Sequence, residues 1–189
     1  FSGRLSKVGG YDAAAGWGSN ETPLVGANAS TETLHIPGEL KGRSVVVHPS
    51  PTLRAAGAWA CPTAGDYRIE AFVKHAHLAC GNGTVWRLEL RRGAVRLTFG
   101  EGNASGGAPG KVGPFGPVAL NPGDLVVLTI GPRDGNHSCD LTAVDLTVSA
   151  AAEGGRTWEM GADVSADSLA SNPHADRFGN ADVWRFFRE

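Results

Sequence analysis

The amino-acid sequence predicts an all-β protein, an antiparallel β-sandwich of the jelly-roll type that forms a single domain over residues 1–189. Short runs of alternating apolar and polar residues recur along the chain, with turn signals about every ten residues between them. The chain also holds 27 Gly and 11 Pro, and it lacks long helix-forming stretches. Residues 165–189 are expected to form an irregular extension that docks on the sandwich.

Three runs of period two predict strands with one apolar face. Every second residue is apolar in residues 67–73, and residues 86–90 alternate still more clearly. Residues 95–99 resume the alternation after Gly93, so the last two runs are expected to form a hairpin. In the second strand of this hairpin, the side chains of Val95, Leu97 and Phe99 are expected to face the core.

A turn and a central strand are predicted further along the chain. Residues 121–124 read Asn-Pro-Gly-Asp, with Pro at the second and Gly at the third position of a turn. Residues 125–130 are apolar on both faces, which is typical of a central strand. Residues 144–148 alternate again, and Leu141 is out of phase with them, which indicates a bulge near Ala143.

The remaining segments carry weaker signals. Residues 101–117 are rich in Gly, Ala and Pro and predict a long exposed loop, whereas residues 157–164 predict one more strand. Residues 183–187 are so aromatic that we expect them to dock on the sandwich, near Trp17, because burying each ring contributes about 1.5–3 kcal/mol.

Charge and composition exclude some partners. A net charge of −2 offers no electrostatic basis for binding nucleic acid. The chain has no run of about 18 apolar residues, so no membrane span is predicted. It opens at Phe1 rather than Met, which indicates a processed or excised piece.

Asn-x-Ser/Thr triplets predict a secreted or extracellular glycoprotein if the source is a eukaryote. In a bacterium the same triplets would carry no such meaning. The candidate acceptors are Asn20, Asn28, Asn82, Asn103 and Asn136.

Three cysteines in a secreted chain predict one disulfide and one free thiol. Cys80 and Cys139 each lie where a loop meets a strand, and antiparallel neighbours bring Cα atoms to the roughly 5.5 Å that a disulfide needs. We therefore expect a Cys80–Cys139 bridge with Cys61 free and buried. The alternative is that both are buried free thiols.

The loop that contains Cys139 has the oxygen spacing of a calcium site. Asp134, Asn136, Ser138 and Asp140 place side-chain oxygens at every second position, and calcium takes six to eight oxygens. The alternative is an Asx-rich turn whose side chains bond their own backbone. Calcium is therefore the cofactor that the sequence predicts.

Histidines offer a second candidate for metal binding. His75 and His77 share a strand face, and with His48 or His137 they would supply imidazole ligands to a transition metal. Exposed or hydrogen-bonded histidines are the favoured interpretation, because nothing in the sequence brings these residues together.

Aromatic side chains are the candidates for sugar binding, because a flat apolar sugar face packs on a ring. Trp17, Tyr11 and Trp59 are candidate platforms, and each is equally consistent with a core position. No Gly-x-Ser-x-Gly elbow is present, and Glu70 and Glu89 are expected on charged outer faces. The sequence therefore predicts no catalytic residue and no enzyme.

Several short motifs resemble those of a known class of protein. They are Trp59-x-Cys61-Pro62, Gly81-Asn82-Gly83 with Trp86-x-Leu88-Glu89, Asn121-Pro122-Gly123-Asp124, Asn136-His137-Ser138-Cys139-Asp140, and the tail motifs Asn172-Pro173-His174-Ala175-Asp176 and Gly179-Asn180-Ala181-Asp182-Val183-Trp184. With them the chain resembles carbohydrate-binding-like jelly-roll modules of large secreted planctomycete-type multidomain proteins. The resemblance implies a non-catalytic accessory role and names no ligand.

Two functions are therefore expected from the sequence. The first is a non-catalytic extracellular β-sandwich module that binds glycans or anchors a larger protein to them. The alternative is a structural subunit of an extracellular glycoprotein assembly, such as a layer or a filament. The partners are accordingly glycans or other extracellular protein subunits.

Overall fold

Two antiparallel sheets pack face to face in a computed structural model, which describes residues 1, 3–19 and 21–189. The larger sheet contains β1 (Arg4–Leu5), β2 (Ala14–Gly18), β3 (Leu24–Asn28), β4 (Val45–His48), β6 (Gly65–His75), β9 (Gly110–Leu120), β11 (Thr142–Ala150) and β12 (Thr157–Glu159). The smaller sheet contains β5 (Ala55–Ala60), β7 (Thr84–Arg92), β8 (Val95–Ala104), β10 (Leu125–Pro132) and β13 (Trp184–Arg188). The predicted antiparallel sandwich is thus confirmed.

The strand order explains which runs are buried. The larger sheet runs β1-β2-β3-β4-β11-β6-β9, with β12 also paired to β11, and the smaller runs β13-β5-β10-β7-β8. β10 lies between β5 and β7, as its apolar sequence predicted. On β6 the alternation is also confirmed, because its buried side chains include those of Tyr67, Ile69, Ala71 and Val73.

The main core lies between the sheets and contains an aromatic cluster. The Trp59 ring packs edge-to-face on both Tyr67 and Trp158, with centroids 5.2 Å apart in each pair. A second apolar cluster lies on the other side of the larger sheet and includes Leu40 and Leu141. Leu141 is therefore buried on the face opposite to the main core.

The two predicted turns are confirmed. In the first, the backbone N–H of Asp124 donates to the Asn121 carbonyl at 3.0 Å, and Gly123 has a φ of 88°. The β7–β8 hairpin turns at Gly93, where φ is 55°. In both turns a positive φ is adopted by glycine, which has no Cβ to oppose it.

The predicted inward face of β8 is wrong for two of its three residues. Val95 is 63% exposed and Leu97 is 52% exposed. Only Phe99 is half-buried, stacked on Phe115 of β9 with centroids 5.6 Å apart. Because β8 is an edge strand, a neighbouring strand covers it on one side only.

The predicted exposed loop over residues 101–117 is also wrong. β8 continues through Ala104, and β9 pairs with β6. The two register shifts in this pairing fall at Gly113-Pro114 and Gly116-Pro117. Proline is tolerated in an edge strand at such irregularities, where its missing N–H breaks no ladder bond.

Two smaller predictions are corrected. Residues 157–164 are not one strand, because β12 is followed by the short helix α1 (Met160–Val164), whose Gly161 N–H donates to the Asp145 carboxylate at 3.0 Å. No bulge lies near Ala143, since β11 pairs with β6 without a register shift. Leu141 is out of phase because it packs into the second cluster.

The C-terminal aromatic run docks on the sandwich, as predicted. β13 pairs with β5 and extends the smaller sheet, which buries Trp184 and Phe186. The indole N–H of Trp17 donates to the Leu169 carbonyl at 3.0 Å, so the extension also contacts the N-terminal segment.

Within the part of the chain that the structure describes, no helix has the length and apolar character needed to cross a membrane.

Candidate functional site

The loops at one end of the sandwich are joined by a disulfide. Cys80 follows β6 and Cys139 precedes β11, and the two form a bridge with Cα atoms 5.6 Å apart. Cys61 is free and buried. Both cysteine predictions are confirmed, and the bridge holds together the two loops that link β6 to β7 and β10 to β11.

Further contacts fix these two loops against each other. The Asn82 side-chain amide donates to the Arg133 carbonyl at 3.0 Å, and the Arg133 guanidinium donates to the Asn82 carbonyl at 3.3 Å. Gly81 has a φ of 83°, and a Cβ there would lie 2.1 Å from the Ser138 carbonyl oxygen. A glycine is therefore required where the loops touch.

Two adjoining cavities open at this end. The first has a volume of about 380 Å³ and is lined by the disulfide loop together with His75, Leu78, Asn82 and Ser105. The second, of about 420 Å³, shares His75 and Leu78 with the first and adds polar side chains that include Lys74. Leu78 is 62% exposed, so an apolar side chain projects where the cavities meet.

A layer of buried polar side chains lies under the disulfide. The Thr142 hydroxyl donates to the Asp140 carbonyl at 2.9 Å, and the hydroxyls of Thr84 and Thr142 are 3.3 Å apart. His75 Nε2 lies 2.7 Å from the Cys139 carbonyl. Because a carbonyl only accepts, Nε2 carries the proton of a neutral His75 ring.

Asp140 is the most unusual residue of this layer. Its side chain is fully buried, and neither carboxylate oxygen has a hydrogen-bond partner among the described residues. Burial raises the pKa of Asp140 to about 7, because a carboxylate without donors is disfavoured away from water.

The four predicted calcium ligands lie in different environments. Asp134, Asn136 and Ser138 are exposed, whereas Asp140 is buried. The Asn136 side-chain oxygen accepts the Ser138 backbone N–H at 3.0 Å, which is the Asx-turn geometry of the alternative interpretation. The calcium site stays a prediction.

The four candidate histidines form a loose group. The rings of His48 and His137 meet edge-to-face with centroids 6.2 Å apart. Burial is the main cause that lowers the pKa of His48. The neighbouring His137, His77 and His75 lower it by smaller amounts. The described residues contain no group of three or more His, Cys, Asp or Glu side chains that could hold a metal.

The three candidate sugar platforms do not lie together at the cavities. Trp59 is fully buried in the aromatic core, so it has no free face for a sugar, and its prediction as a ligand residue is corrected. Trp17 is half-buried under Arg4, whose guanidinium carbon is 5.5 Å from the ring centroid. Tyr11 is 36% exposed and its hydroxyl donates to the His35 carbonyl at 3.4 Å.

The glycosylation triplets also differ in accessibility. Asn103 and Asn136 are exposed, and Asn82 is half-buried with its amide nitrogen engaged. Asn28 is fully buried, and its amide nitrogen donates to three carbonyls, those of Glu32, Leu40 and Lys41. A glycan at Asn28 is incompatible with this fold. Asn20 lies outside the described residues.

The carboxylates that the sequence placed on outer faces are ion-paired. Glu70 pairs with Lys111 at 2.7 Å on the exposed surface. The Glu89 side chain is only 7% exposed and pairs with Arg91, which also binds Glu189 at 2.7 Å. The Glu70–Lys111 and Arg91–Glu189 pairs join residues that are distant in sequence, so they leave no local signal.

Sequence reasoning missed the residues that line the cavities, above all Leu78, Ser105 and Lys74. The available signal was slight: Leu78 is an apolar residue in an otherwise small and polar loop. The loop that follows β8 adjoins the disulfide only because β7 and β8 pair along their whole length.

Comparison of the chain with known protein families, with curated proteins and with solved structures gives no match in any of the three. The resemblance to secreted jelly-roll modules therefore stays an expectation from the sequence.

Proposed function

We propose that this protein is a non-catalytic extracellular module that binds glycans, or anchors a larger protein to them, at the loop end of its sandwich. The observation that carries the proposal is the pair of cavities that share His75 and Leu78. Small-molecule sites are concave and combine apolar contact with a few placed polar groups. A sugar presents both an apolar C–H face and hydroxyls, which match Leu78 and its polar neighbours.

The disulfide supports this proposal in two ways. It ties the loop of residues 80–83, which lines the first cavity, to the loop that precedes β11, so little conformational entropy is lost when a ligand binds. Disulfides also persist in oxidising compartments, which agrees with secretion. The exposed triplets at Asn103 and Asn136 are consistent with the same compartment.

An array of animal, plant and microbial glycans tests the proposal, followed by calorimetry with the best ligand. Leu78→Ala, and His77→Ala in the wall of the second cavity, should each weaken binding at least tenfold. Val95→Ala is the matched control, because Val95 is 63% exposed and Leu78 62%, and Val95 lies at the far end of β8 from the cavities. Absence of any glycan binding, or binding that both cavity variants leave unchanged, would refute the proposal.

The structural-subunit alternative is supported by a different observation. Val95 and Leu97 expose apolar side chains on the edge strand β8, and edge strands offer unpaired backbone groups to another chain. If this function is correct, the native protein forms stable polymers that Leu97→Lys dissolves. A monomer by sedimentation at all concentrations would exclude it.

A further inference from the structure

We propose that the polar layer under the Cys80–Cys139 disulfide binds one divalent cation through the side chains of His75, Asn82 and Asp140. This inference does not depend on the proposed glycan binding. It moves the cation from the exposed outer side of the loop, where the sequence placed calcium, to the buried inner side. Asp140 is the only residue that the two sites share.

The hydrogen-bond accounting of this layer shows a surplus of acceptors. The Thr142 hydroxyl proton is used on the Asp140 carbonyl, so the Thr84 hydroxyl is the donor in the 3.3 Å contact between the threonines. The His75 ring proton is used on the Cys139 carbonyl. The Asn82 amide nitrogen donates one proton to the Arg133 carbonyl. Each of these donors is thus committed to an oxygen within the layer or at its rim.

Four buried acceptor atoms remain without a partner among the described residues. They are His75 Nδ1, Asn82 Oδ1, and Asp140 Oδ1 and Oδ2. Leaving a buried polar atom unsatisfied is unfavourable, and more so for a charged group. A cation bound among these side chains would satisfy all four acceptors at once.

Local contacts bring these three side chains to the same end of the sandwich. His75 and Asn82 line the same cavity. His75 also binds the carbonyl of Cys139, the residue immediately before Asp140. Leu141, the next residue, packs into the second cluster on the opposite face of the larger sheet.

The donor set indicates the class of cation. A carboxylate, an amide oxygen and an imidazole nitrogen suit Zn²⁺ or Mn²⁺ better than Ca²⁺, which prefers oxygen ligands throughout. The amide supplies the third ligand beside one histidine and one aspartate. The disulfide is covalently continuous with the site, since Cys139 immediately precedes Asp140.

Thermal unfolding of metal-stripped protein tests the proposal, with Zn²⁺, Mn²⁺, Ca²⁺ or Mg²⁺ added singly. Zn²⁺ or Mn²⁺ at a hundredfold excess over its dissociation constant should raise the melting temperature by about 5–10 °C. Asp140→Asn and His75→Leu should abolish that rise. Asp134→Asn is the matched control and should keep it, because the Asp134 side chain is 83% exposed.

Three results would overturn the proposal. One is that neither Zn²⁺ nor Mn²⁺ changes the melting temperature. Another is a rise that survives Asp140→Asn and His75→Leu but is lost in His137→Gln, which would place the ion on the surface histidines. The third is a rise with Ca²⁺ alone that Asp134→Asn removes. If the buried variants fail to fold, anomalous diffraction from Zn²⁺-soaked native crystals tests the proposal instead. It shows whether an ion lies beside Asp140, and an empty position there would overturn the proposal.

Discussion

The indole N–H of Trp158 donates a 2.6 Å hydrogen bond to Oδ2 of Asp176. The same carboxylate accepts the backbone N–H groups of Phe178 and Asn180 and the side-chain amide of Asn180. Burial would raise the pKa of Asp176, but these donors lower it below its ordinary value. One side chain thus links the aromatic core to the irregular extension that precedes β13.

Asp176→Ala should lower the free energy of unfolding by about 3 kcal/mol, because it leaves several donors, one of them buried, without their acceptor. Chemical denaturation with fluorescence detection measures the loss. Glu153→Ala, at an exposed position, is the control and should stay within about 0.5 kcal/mol of the native protein. A loss no larger than the control's would show that the extension is held by apolar packing alone.

Removal of the disulfide should destabilise the whole sandwich. The bridge joins two residues with a sequence separation of 59. The double change Cys80→Ala, Cys139→Ala should therefore lower the free energy of unfolding by about 4 kcal/mol in the chain-entropy model. Unreduced peptide mapping should recover residues 80 and 139 in one linked species, and Cys61→Ala should leave that species intact. Alkylation of Cys80 and Cys139 before reduction would contradict the bridge.

In a eukaryotic secretory host, glycans should be found at Asn103 and Asn136 and not at Asn28. The first two side chains are exposed, whereas Asn28 is buried and uses its amide nitrogen within the fold. Mass spectrometry of glycopeptides checks the pattern. Ser105→Ala should remove the Asn103 glycan without changing stability, and a folded protein glycosylated at Asn28 would refute the assignment.

Acid should weaken the turn that connects β9 to β10. Hydrogen bonds from Arg92 lower the pKa of Asp124, and the Asn121 N–H contributes to the same effect. This contribution to stability is full above the unfolded pKa near 4 and is lost as pH falls through the lower pKa of the folded state.

Asp124→Asn should therefore cost about 1.5 kcal/mol at pH 7, and the variant and native stabilities should converge below about pH 3. Denaturation curves across this pH range measure the difference. Asp66→Asn, which removes an exposed carboxyl, is the control. A difference that is independent of pH would mean that the turn geometry, not the charge of Asp124, supplies the stability.

The elements that were predicted correctly carry their signal in neighbouring residues. The alternation on β6 reports its buried face directly, because successive side chains of a strand point to opposite sides. Asn121 to Asp124 encodes its own turn, since Pro and Gly restrict the backbone locally. The Cys80–Cys139 pairing was predicted correctly because each of the two loops leads into a strand and antiparallel strands bring such loops together.

The errors occur where the structure depends on distant residues. Val95 and Leu97 have the alternation of a core-facing strand, yet they are exposed on the edge strand β8 and belong to none of the buried apolar clusters. Residues 110–120 have the composition of a loop, yet β6 supplies a partner strand whose register shifts accommodate Gly113-Pro114 and Gly116-Pro117.

The candidate site also has features that follow from neighbouring residues and features that depend on distant ones. The sequence by itself determined the chemical identity of its loops: a cysteine in each, small residues where backbones touch, and acceptor side chains such as Asn82 and Asp140. Only the tertiary structure decided that Asp134 is exposed and Asp140 buried, and that His75 and Asn82 share a cavity with Leu78. Residue type and backbone freedom are local properties of the chain, whereas burial and unsatisfied hydrogen bonding depend on which distant segments pack against a residue.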